Sequence, residues 1–292
     1  MDESKPRERL RELIERDEIA YLAGVHDSLS TKVACEYADV DAVQQSGYGT
    51  AASLLGYPDL NFTSLKETRD VVHNMVRAAG DTPVVVDGDT GYGGVVNLPH
   101  TISEVERTGA AGVFIEDQAV PKKCGLLEGK DVIDADAMAD KLRAAIEART
   151  DDAFVVMART DAYDSEGLDE VVRRGNRYAE AGADAFMLGE VAPLEDLSTI
   201  AERVDLPFYA LGVEMDHDEF DTWHPIDAYD EAGVSLVSDV SGMLQASIAT
   251  MQAYMDSMMA EGDHDVDQVP LDRISSFLGV EEYEAFEAKF GG

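Results

Sequence analysis

The chain has 292 residues, of which 45% are hydrophobic, and this composition favours one large globular domain over two ordinary ones. Asp and Glu number 60 against 23 Lys and Arg, so the formal net charge is −37, which disfavours nucleic acids and anionic membranes as partners. No apolar run of about 18 residues occurs, and Cys35 and Cys124 lack the spacing of a disulfide framework. We therefore expect a cytoplasmic protein.

Short apolar segments rich in β-branched residues alternate along the chain with longer amphipathic segments. Eight strands are predicted, at residues 19–24, 41–46, 83–89, 112–117, 154–161, 185–190, 207–212 and 235–240. Helical periodicity fills the intervals, and several of these helical segments end at a glycine. The alternation predicts an α/β fold, a (β/α)8 TIM-type barrel that forms a single domain over residues 1–292.

Two more helical segments follow the eighth strand. The first, residues 242–262, is rich in Met and apolar around most of its circumference, which is more than a surface helix needs. We expect it to pack against a partner subunit, with an inner helix of the same domain as the alternative. Beyond an acidic linker, residues 264–292 form a predicted C-terminal helical extension.

Polar side chains follow the predicted strands where each strand ends. In a β/α barrel the carboxyl ends of the strands meet at one face, which carries the active site. Polar residues stand at the ends of six strands, which we therefore expect to converge on one mouth, and in strand order they are Asp27, Ser46, Asp87 with Asp89, Glu116 with Asp117, Arg159 with Asp161, and Glu190.

The segment DGDTGYGG, residues 87–94, places Asp87 and Asp89 two residues apart at the end of a strand. Both carboxylates then point to the same side, and hard cations such as Mg²⁺ prefer oxygen ligands. Alone this spacing is a weak signal, because aspartates beside glycines usually form turns. Together with IEDQ (115–118) and SGYGTAAS (46–53) it predicts a metal site.

Several segments together resemble a known family. They are GVHDSLS, SGYGTAASLLGYPD, VDGDTGYGG, EDQAVPKKCG, ARTDA and YAEAGADAFMLGE, at residues 24–30, 46–59, 86–94, 116–125, 158–162 and 178–190. In their order and spacing they resemble the isocitrate lyase / phosphoenolpyruvate mutase superfamily, and most closely its 2-methylisocitrate lyase-like branch. The resemblance implies a homotetramer with an exchanged helix and a small anionic carboxylate as substrate.

The resemblance also implies a role for each matching residue. Asp87 would bind Mg²⁺, or Mn²⁺ in its place, directly, and the remaining metal residues would act through water: Asp59, Asp89 and Glu116. The residues expected to donate hydrogen bonds to a substrate carboxylate are Ser46, Gly47 and Tyr48. Arg159 would clamp a carboxylate bidentately, and Glu190 would orient the substrate.

The loop PKKCGLLEGK, residues 121–130, resembles the family's mobile gating loop, which delivers a cysteine to bound substrate. Cys124 is the matching residue and the expected acid, and Gly125 is expected to contact substrate. Lys122 and Lys123 are expected to lower the pKa of the Cys124 thiol and to keep it from being buried. The alternative is that Cys124 is a small buried apolar residue.

Three positions depart from the pattern of the lyases: Leu126 stands for a histidine, Gln44 for an aromatic base and Leu211 for an asparagine.

We expect a carbon–carbon lyase acting on isocitrate or 2-methylisocitrate, with Tyr48 as the proton acceptor. Oxaloacetate decarboxylation or hydrolysis is one alternative, and phosphoenolpyruvate mutase chemistry is disfavoured because that branch has asparagine at Cys124. A non-catalytic metabolite-binding homologue is the alternative from another class.

The acidic residues are scattered over every segment, which suggests adaptation to a salty, halophilic cytosol where screening relieves self-repulsion. We therefore expect the melting temperature to rise as KCl increases from low to molar concentration. Equal melting temperatures across that range would contradict the hypothesis.

Overall fold

The computed structural model describes residues 4–38, 40–217 and 219–291. Eight parallel strands form a closed barrel in which each strand pairs with its neighbours in chain order and β8 pairs with β1. The strands are β1 Ala20–Val25, β2 Ala42–Gln45, β3 Val84–Asp87, β4 Gly112–Glu116, β5 Val155–Thr160, β6 Ala185–Leu188, β7 Phe208–Gly212 and β8 Leu236–Asp239. The barrel confirms the predicted TIM-type fold.

Helices connect the strands and follow β8. They are α1 Ser4–Glu15, α2 Ser28–Tyr37, α3 Gly47–Leu55, α4 Leu65–Ala79, α5 Leu98–Glu106, α6 Ala135–Ala148, α7 Tyr163–Glu166, α8 Leu168–Glu180, α9 Leu194–Arg203, α10 Ile226–Glu231, α11 Gly242–Glu261, α12 Leu271–Phe277 and α13 Val280–Phe290. Helix α3 was not predicted, because its first turn contains Gly47 and Gly49, and glycine is a poor helix former. The Ser46 hydroxyl caps it by accepting from the Gly49 N–H.

The strands read as unbroken apolar runs because both of their faces are buried. In β4, Phe114 belongs to the cluster inside the barrel, whereas Val113 and Ile115 belong to the cluster between strands and helices. The barrel is thus filled by side chains and forms a rigid base for the residues at its carboxyl end.

Asp117 fixes the carboxyl ends of β4 and β5 relative to each other. Its buried carboxylate accepts hydrogen bonds from the Thr160 hydroxyl at 2.7 Å and from the Asp161 N–H at 3.0 Å. The Tyr178 hydroxyl at 2.7 Å and the Arg174 Nη1 at 3.0 Å complete its shell. A buried charge that is fully paired in this way holds the strand ends in one arrangement.

The chain divides into two compact units between Leu244 and Gln245. The second unit contains most of α11 together with α12 and α13, and it exposes large apolar side chains, among them Met251, Met255, Met259, Leu271, Tyr283 and Phe286. Apolar surface of this kind is typical of interaction sites. The partner subunit expected at α11, the exchanged helix and the homotetramer stay predictions.

No helix among the described residues is both long enough and apolar enough to pass through a membrane.

Candidate active site at the barrel mouth

The two aspartates of the DGDTGYGG segment are held by a turn at the end of β3. Asp87 is the last residue of the strand, and its N–H donates to Gln45 Oε1 at 3.0 Å. Its Oδ1 in turn accepts from the Asp89 N–H at 3.0 Å. Asp89 has a φ of 46°, a left-handed conformation that Asp tolerates better than most residues. The turn brings both carboxylates to the mouth of the barrel.

The first turn of α3 lies directly against Asp87. A Cβ added at Gly47 would lie 2.4 Å from Asp87 Oδ2, so only glycine fits this approach. Free N–H groups at a helix N-terminus favour an anion, which suits the predicted carboxylate-binding role of Gly47 and Tyr48. Ser46 differs from the expectation in one respect, because its N–H already donates to the Val25 carbonyl at 2.8 Å. Only its hydroxyl remains for a ligand.

The four residues predicted at the metal site are all buried: Asp59, Asp87, Asp89 and Glu116. The Lys122 ammonium lies between two of them, with Nζ 2.6 Å from Asp59 Oδ1 and 2.5 Å from Asp89 Oδ1. We call these four carboxylates with Asp161, Lys122 and Arg159 the mouth cluster. Lys122 is therefore an internal counter-ion of the cluster.

Arg159 is the second cation of the mouth cluster. Its Nε and Nη2 donate to the two carboxylate oxygens of Asp161 at 2.9 and 2.8 Å. Its Nη1 lies 3.2 Å from Glu116 Oε2 and 3.9 Å from Asp87 Oδ2. Asp161 therefore occupies the Nε/Nη2 edge of the guanidinium, and a substrate would meet its Nη1 end and the second N–H of Nη2, so the bidentate clamp stays a prediction.

The mouth cluster has more negative than positive charge. Five carboxylates face two cations, and among the described residues Glu116 Oε1 is buried with neither a hydrogen bond nor an ion pair. Glu116 Oε2 and Asp89 Oδ1 have ion pairs, with Arg159 and Lys122, but no further hydrogen bond. Burial of excess charge is costly, so the cluster favours an additional cation. These oxygens fit a magnesium-type ion, which prefers oxygen ligands and retains water.

The carboxylates do not form a closed metal cage. Within residues 4–38, 40–217 and 219–291, no three His, Cys, Asp or Glu side chains converge closely enough to hold one ion. This arrangement suits an ion bound by one carboxylate and several waters, as Mg²⁺ commonly is. The metal-ligand assignments of Asp59, Asp87, Asp89 and Glu116 stay predictions.

Burial shifts the titration of the mouth cluster. Desolvation raises the pKa of Asp89 to about 6, although the Lys122 ammonium opposes the rise. Desolvation likewise raises the pKa of Glu116 well above its ordinary value, against the attraction of Arg159. Burial alone would lower the pKa of Lys122, but the surrounding carboxylates outweigh it and raise that pKa, so Lys122 stays charged.

Cys124 differs from the sequence expectation in both burial and pKa. Only 9% of its surface is exposed, and its N–H donates to the Asp59 carbonyl at 3.0 Å. Burial raises the pKa of the thiol to about 11, and the attraction of Lys122 and Arg159 is too weak to reverse this. The expected thiolate was wrong because the Lys122 charge is directed into Asp59 and Asp89. A protonated thiol can still act as an acid.

Gly125 and Glu190 lie beside Cys124 and Arg159. A Cβ at Gly125 would meet the Gly189 carbonyl at 2.0 Å and Arg159 Nη2 at 2.6 Å, so the loop is seated tightly on the barrel. Both Gly125 and Glu190 line a cavity of about 670 Å³ between the loop and the ends of β5, β6 and β7. A cavity of this size accommodates a small metabolite.

The three departures from the lyase pattern have separate environments. Gln44 is buried, and its Oε1 accepts from the Tyr209 hydroxyl and from Ser238 Oγ, so it belongs to a network inside the barrel. Leu211 is buried in the interior cluster, and Leu126 lines the cavity. Apolar side chains thus stand at Leu126 and Leu211, where a polar contact to substrate was expected.

Sequence reasoning assigned no role to three residues that organise the site, although it placed Asp161 with Arg159 at the end of the fifth strand. Asp161 holds the Arg159 guanidinium, Gln45 holds the backbone of Asp87, and Lys130 binds carbonyls of the loop. The position of Asp161 two residues after Arg159, on the same side of the strand, was a usable signal. The contacts of Gln45 and Lys130 depend on how distant segments meet.

The buried, protonated state of Cys124 predicts an unusual pH dependence. In a Cys35→Ala background, the rate of alkylation of Cys124 by iodoacetamide should keep rising towards pH of about 11, because only the thiolate reacts. The measurement is the rate constant against pH, with labelling located by mass spectrometry. A plateau at or below a pH of about 8.5, the ordinary thiol value, would contradict the assignment.

Comparison with known proteins gives the wider context. Residues 10–259 match the family model described as phosphoenolpyruvate phosphomutase. The chain is 38% identical over 203 residues to 2,3-dimethylmalate lyase of Eubacterium barkeri, covering 70% of this chain and 69% of that one. It is 36% identical over 253 residues to 2-methylisocitrate lyase of Aeropyrum pernix, covering 87% and 80%.

Solved structures agree with this match. Oxaloacetate acetylhydrolase in complex with 3,3-difluorooxalacetate superposes with a TM-score of 0.92 at 28% identity, covering 99% of this chain and 98% of the other. 2,3-Dimethylmalate lyase, a PEP mutase/isocitrate lyase superfamily member, gives 0.90 at 29% identity, covering 99% and 96%. The family resemblance is confirmed, and the chain belongs to the phosphoenolpyruvate phosphomutase family within the PEP mutase/isocitrate lyase superfamily.

Proposed function

We propose that the protein is a Mg²⁺-dependent carbon–carbon lyase. It cleaves a 2-hydroxy di- or tricarboxylate of the isocitrate or 2-methylisocitrate type into a 2-oxo acid and a dicarboxylate. The observation that carries the proposal is the position of Cys124, which the loop holds buried beside a carboxylate cluster short of cations, with its N–H on the Asp59 carbonyl. Relatives with this fold are named as lyases.

The proposed Mg²⁺ site uses the predicted residues, with Asp87 as the direct ligand and Asp59, Asp89 and Glu116 binding through water. When bound, Mg²⁺ would polarise the substrate oxygens and compensate negative charge that develops during cleavage. Mn²⁺ could take its place, since it accepts the same oxygen ligands.

The chain's own residues bind and orient the substrate. Carboxylate oxygens of the substrate accept hydrogen bonds from the N–H groups of Gly47 and Tyr48 in the first turn of α3. They also accept hydrogen bonds from the Nη1 end of Arg159. Asp161 locks the guanidinium, so its direction is set before substrate arrives. The inward residues of the loop, Lys122, Cys124 and Gly125, are buried and exclude water from the mouth cluster, which strengthens these electrostatic contacts.

Proton movements follow from the same arrangement. A base, which we assign to Tyr48, takes the proton of the substrate hydroxyl as the carbon–carbon bond breaks and the 2-oxo acid forms. The electron pair of the broken bond remains on the departing fragment as an enolate, which takes a proton from Cys124 Sγ. Lys122 and Arg159 attract the resulting thiolate, since both favour the charged form of this sulfur.

A second candidate is oxaloacetate hydrolysis or decarboxylation. The observation that favours it is the apolar character of Leu126 and Leu211, which supply no polar group to a further substrate carboxylate. A smaller substrate needs fewer such groups. Oxaloacetate hydrolysis and decarboxylation also release an enolate that must take a proton, so the substrate that is turned over, and not the Cys124 variant, separates the two candidates.

The test is an assay of the purified chain in Mg²⁺ and molar KCl with isocitrate, 2-methylisocitrate, 2,3-dimethylmalate and oxaloacetate. We expect turnover of at least one hydroxy acid, loss of activity with EDTA, and a decrease in kcat of about 100-fold or more in Cys124→Ala, because a positioned acid contributes that much. Cys35→Ala is the matched control and should retain activity.

Equal activity of Cys124→Ala and the parent on a hydroxy acid would refute the acid role. Activity on oxaloacetate alone would favour the second candidate, with oxalate as the product of hydrolysis and pyruvate as the product of decarboxylation. Inactivity on all four compounds would remove the support for the lyase and favour the metabolite-binding homologue.

A further inference from the structure

The two ends of the gating loop, residues 118–119 and 131–132, pair with each other where the loop leaves the barrel, and we call this pairing the neck. Gln118 and Val132 form an isolated antiparallel bridge, and the Ala119 N–H donates to the Asp131 carbonyl at 2.7 Å. Residues 120–130 between them have no regular strand or helix and carry Cys124 near their middle. A loop of this kind needs contacts beyond its neck to hold one position.

Lys130 supplies such contacts at the end of the loop. Its Nζ donates to the carbonyls of Gly125 and Leu127, both at 2.7 Å, so it reaches back to the backbone next to Cys124. The same ammonium lies 3.1 Å from Glu190 Oε1 and 3.4 Å from Asp164 Oδ2. The side chain of Lys130 is only 2% exposed. One buried cation therefore joins the loop backbone to two carboxylates of the barrel.

Glu190 is fixed independently of the loop. Its Oε2 accepts from the Tyr163 N–H at 2.7 Å, and its Oε1 accepts from the Asp164 N–H at 3.3 Å. It follows β6 directly and is itself buried. The Lys130 ammonium thus attaches the loop to a rigid acceptor, and charge-assisted hydrogen bonds of this type are the strong ones.

We propose that Lys130 is a positioning residue that latches the loop to Glu190 and thereby sets the place of Cys124 over the mouth cluster. It acts through the loop and touches no reacting atom. The expected effect of Lys130 on catalysis rests on the proposed acid role of Cys124. The attachment of the loop to the barrel rests on the contacts of Lys130 alone.

Lys123 offers a matched comparison in the same loop. Its ammonium also binds loop carbonyls, those of Glu128 at 3.3 Å and Gly129 at 2.8 Å, but these contacts are exposed and stay within the loop. A variant at Lys123 therefore removes a loop lysine without breaking the attachment to the barrel.

The test measures alkylation of Cys124 by iodoacetamide at one pH in a Cys35→Ala background. Lys130→Met should react about tenfold faster or more than the parent, because it loses several charge-assisted contacts. Lys123→Met should stay within about twofold of the parent, as surface substitutions usually do. Glu190→Gln, which keeps the size of the side chain but weakens the pairing, should lie between them and serves if Lys130→Met fails to fold.

Catalysis and metal binding separate the latch from general damage. In Lys130→Met, kcat/KM for a hydroxy acid should fall while the affinity for Mn²⁺, followed by its electron paramagnetic resonance signal, stays at the parent value. Equal alkylation of Lys130→Met and the parent, or acceleration to the same extent in Lys123→Met, would overturn the proposal. Faster alkylation in a protein that turns over none of the four substrates would support the latch and refute the lyase.

Discussion

An excess of buried negative charge at the barrel mouth is the constraint on which the site depends. Asp59, Asp87, Asp89, Glu116 and Asp161 lie together out of water, and in the described part of the chain their ion pairs are with Lys122 and Arg159. Charges in such surroundings are tolerated only when they are paired, coordinated or protonated. Burial raises the pKa of Asp89 and of Glu116, and neighbouring carboxylates add to the rise. Binding of a divalent cation would compensate this excess of buried negative charge.

This constraint links the loop to the cluster. Lys122 comes from the loop, yet its ammonium is one of the two cations of the mouth cluster, so loop position and charge balance change together. Cys124 is brought to its buried place by the same segment, and Lys130 holds the far side of the loop. The reactivity of the thiol therefore depends on closure. Burial keeps it protonated, as an acid must be before it donates.

Much of this could be predicted from the sequence. The eight strands were recognisable because apolar runs buried on both faces have a simple pattern, and Asp87, Asp89 and Glu116 were found because strand ends converge in a barrel. The burial and raised pKa of Cys124 were not predictable, because the ammonium groups of Lys122 and Lys123 contact Asp59 and a loop carbonyl and not the thiol. Asp161 was placed at the end of the fifth strand but not paired with Arg159, although its spacing of two residues signals such a pair, and α3 was hidden by the two glycines of its first turn.

The most direct test of the account is the binding of Mn²⁺ to the metal-free protein, measured by titration calorimetry in molar KCl. We expect one Mn²⁺ ion to bind per chain. The affinity should be about 10–100-fold weaker in Asp59→Asn, as expected for an outer ligand, and weaker still in Asp87→Asn. The exposed Asp169, changed to Asn, is the control and should leave binding unchanged. Failure of the parent to bind, or equal binding by Asp87→Asn, would contradict the central claim.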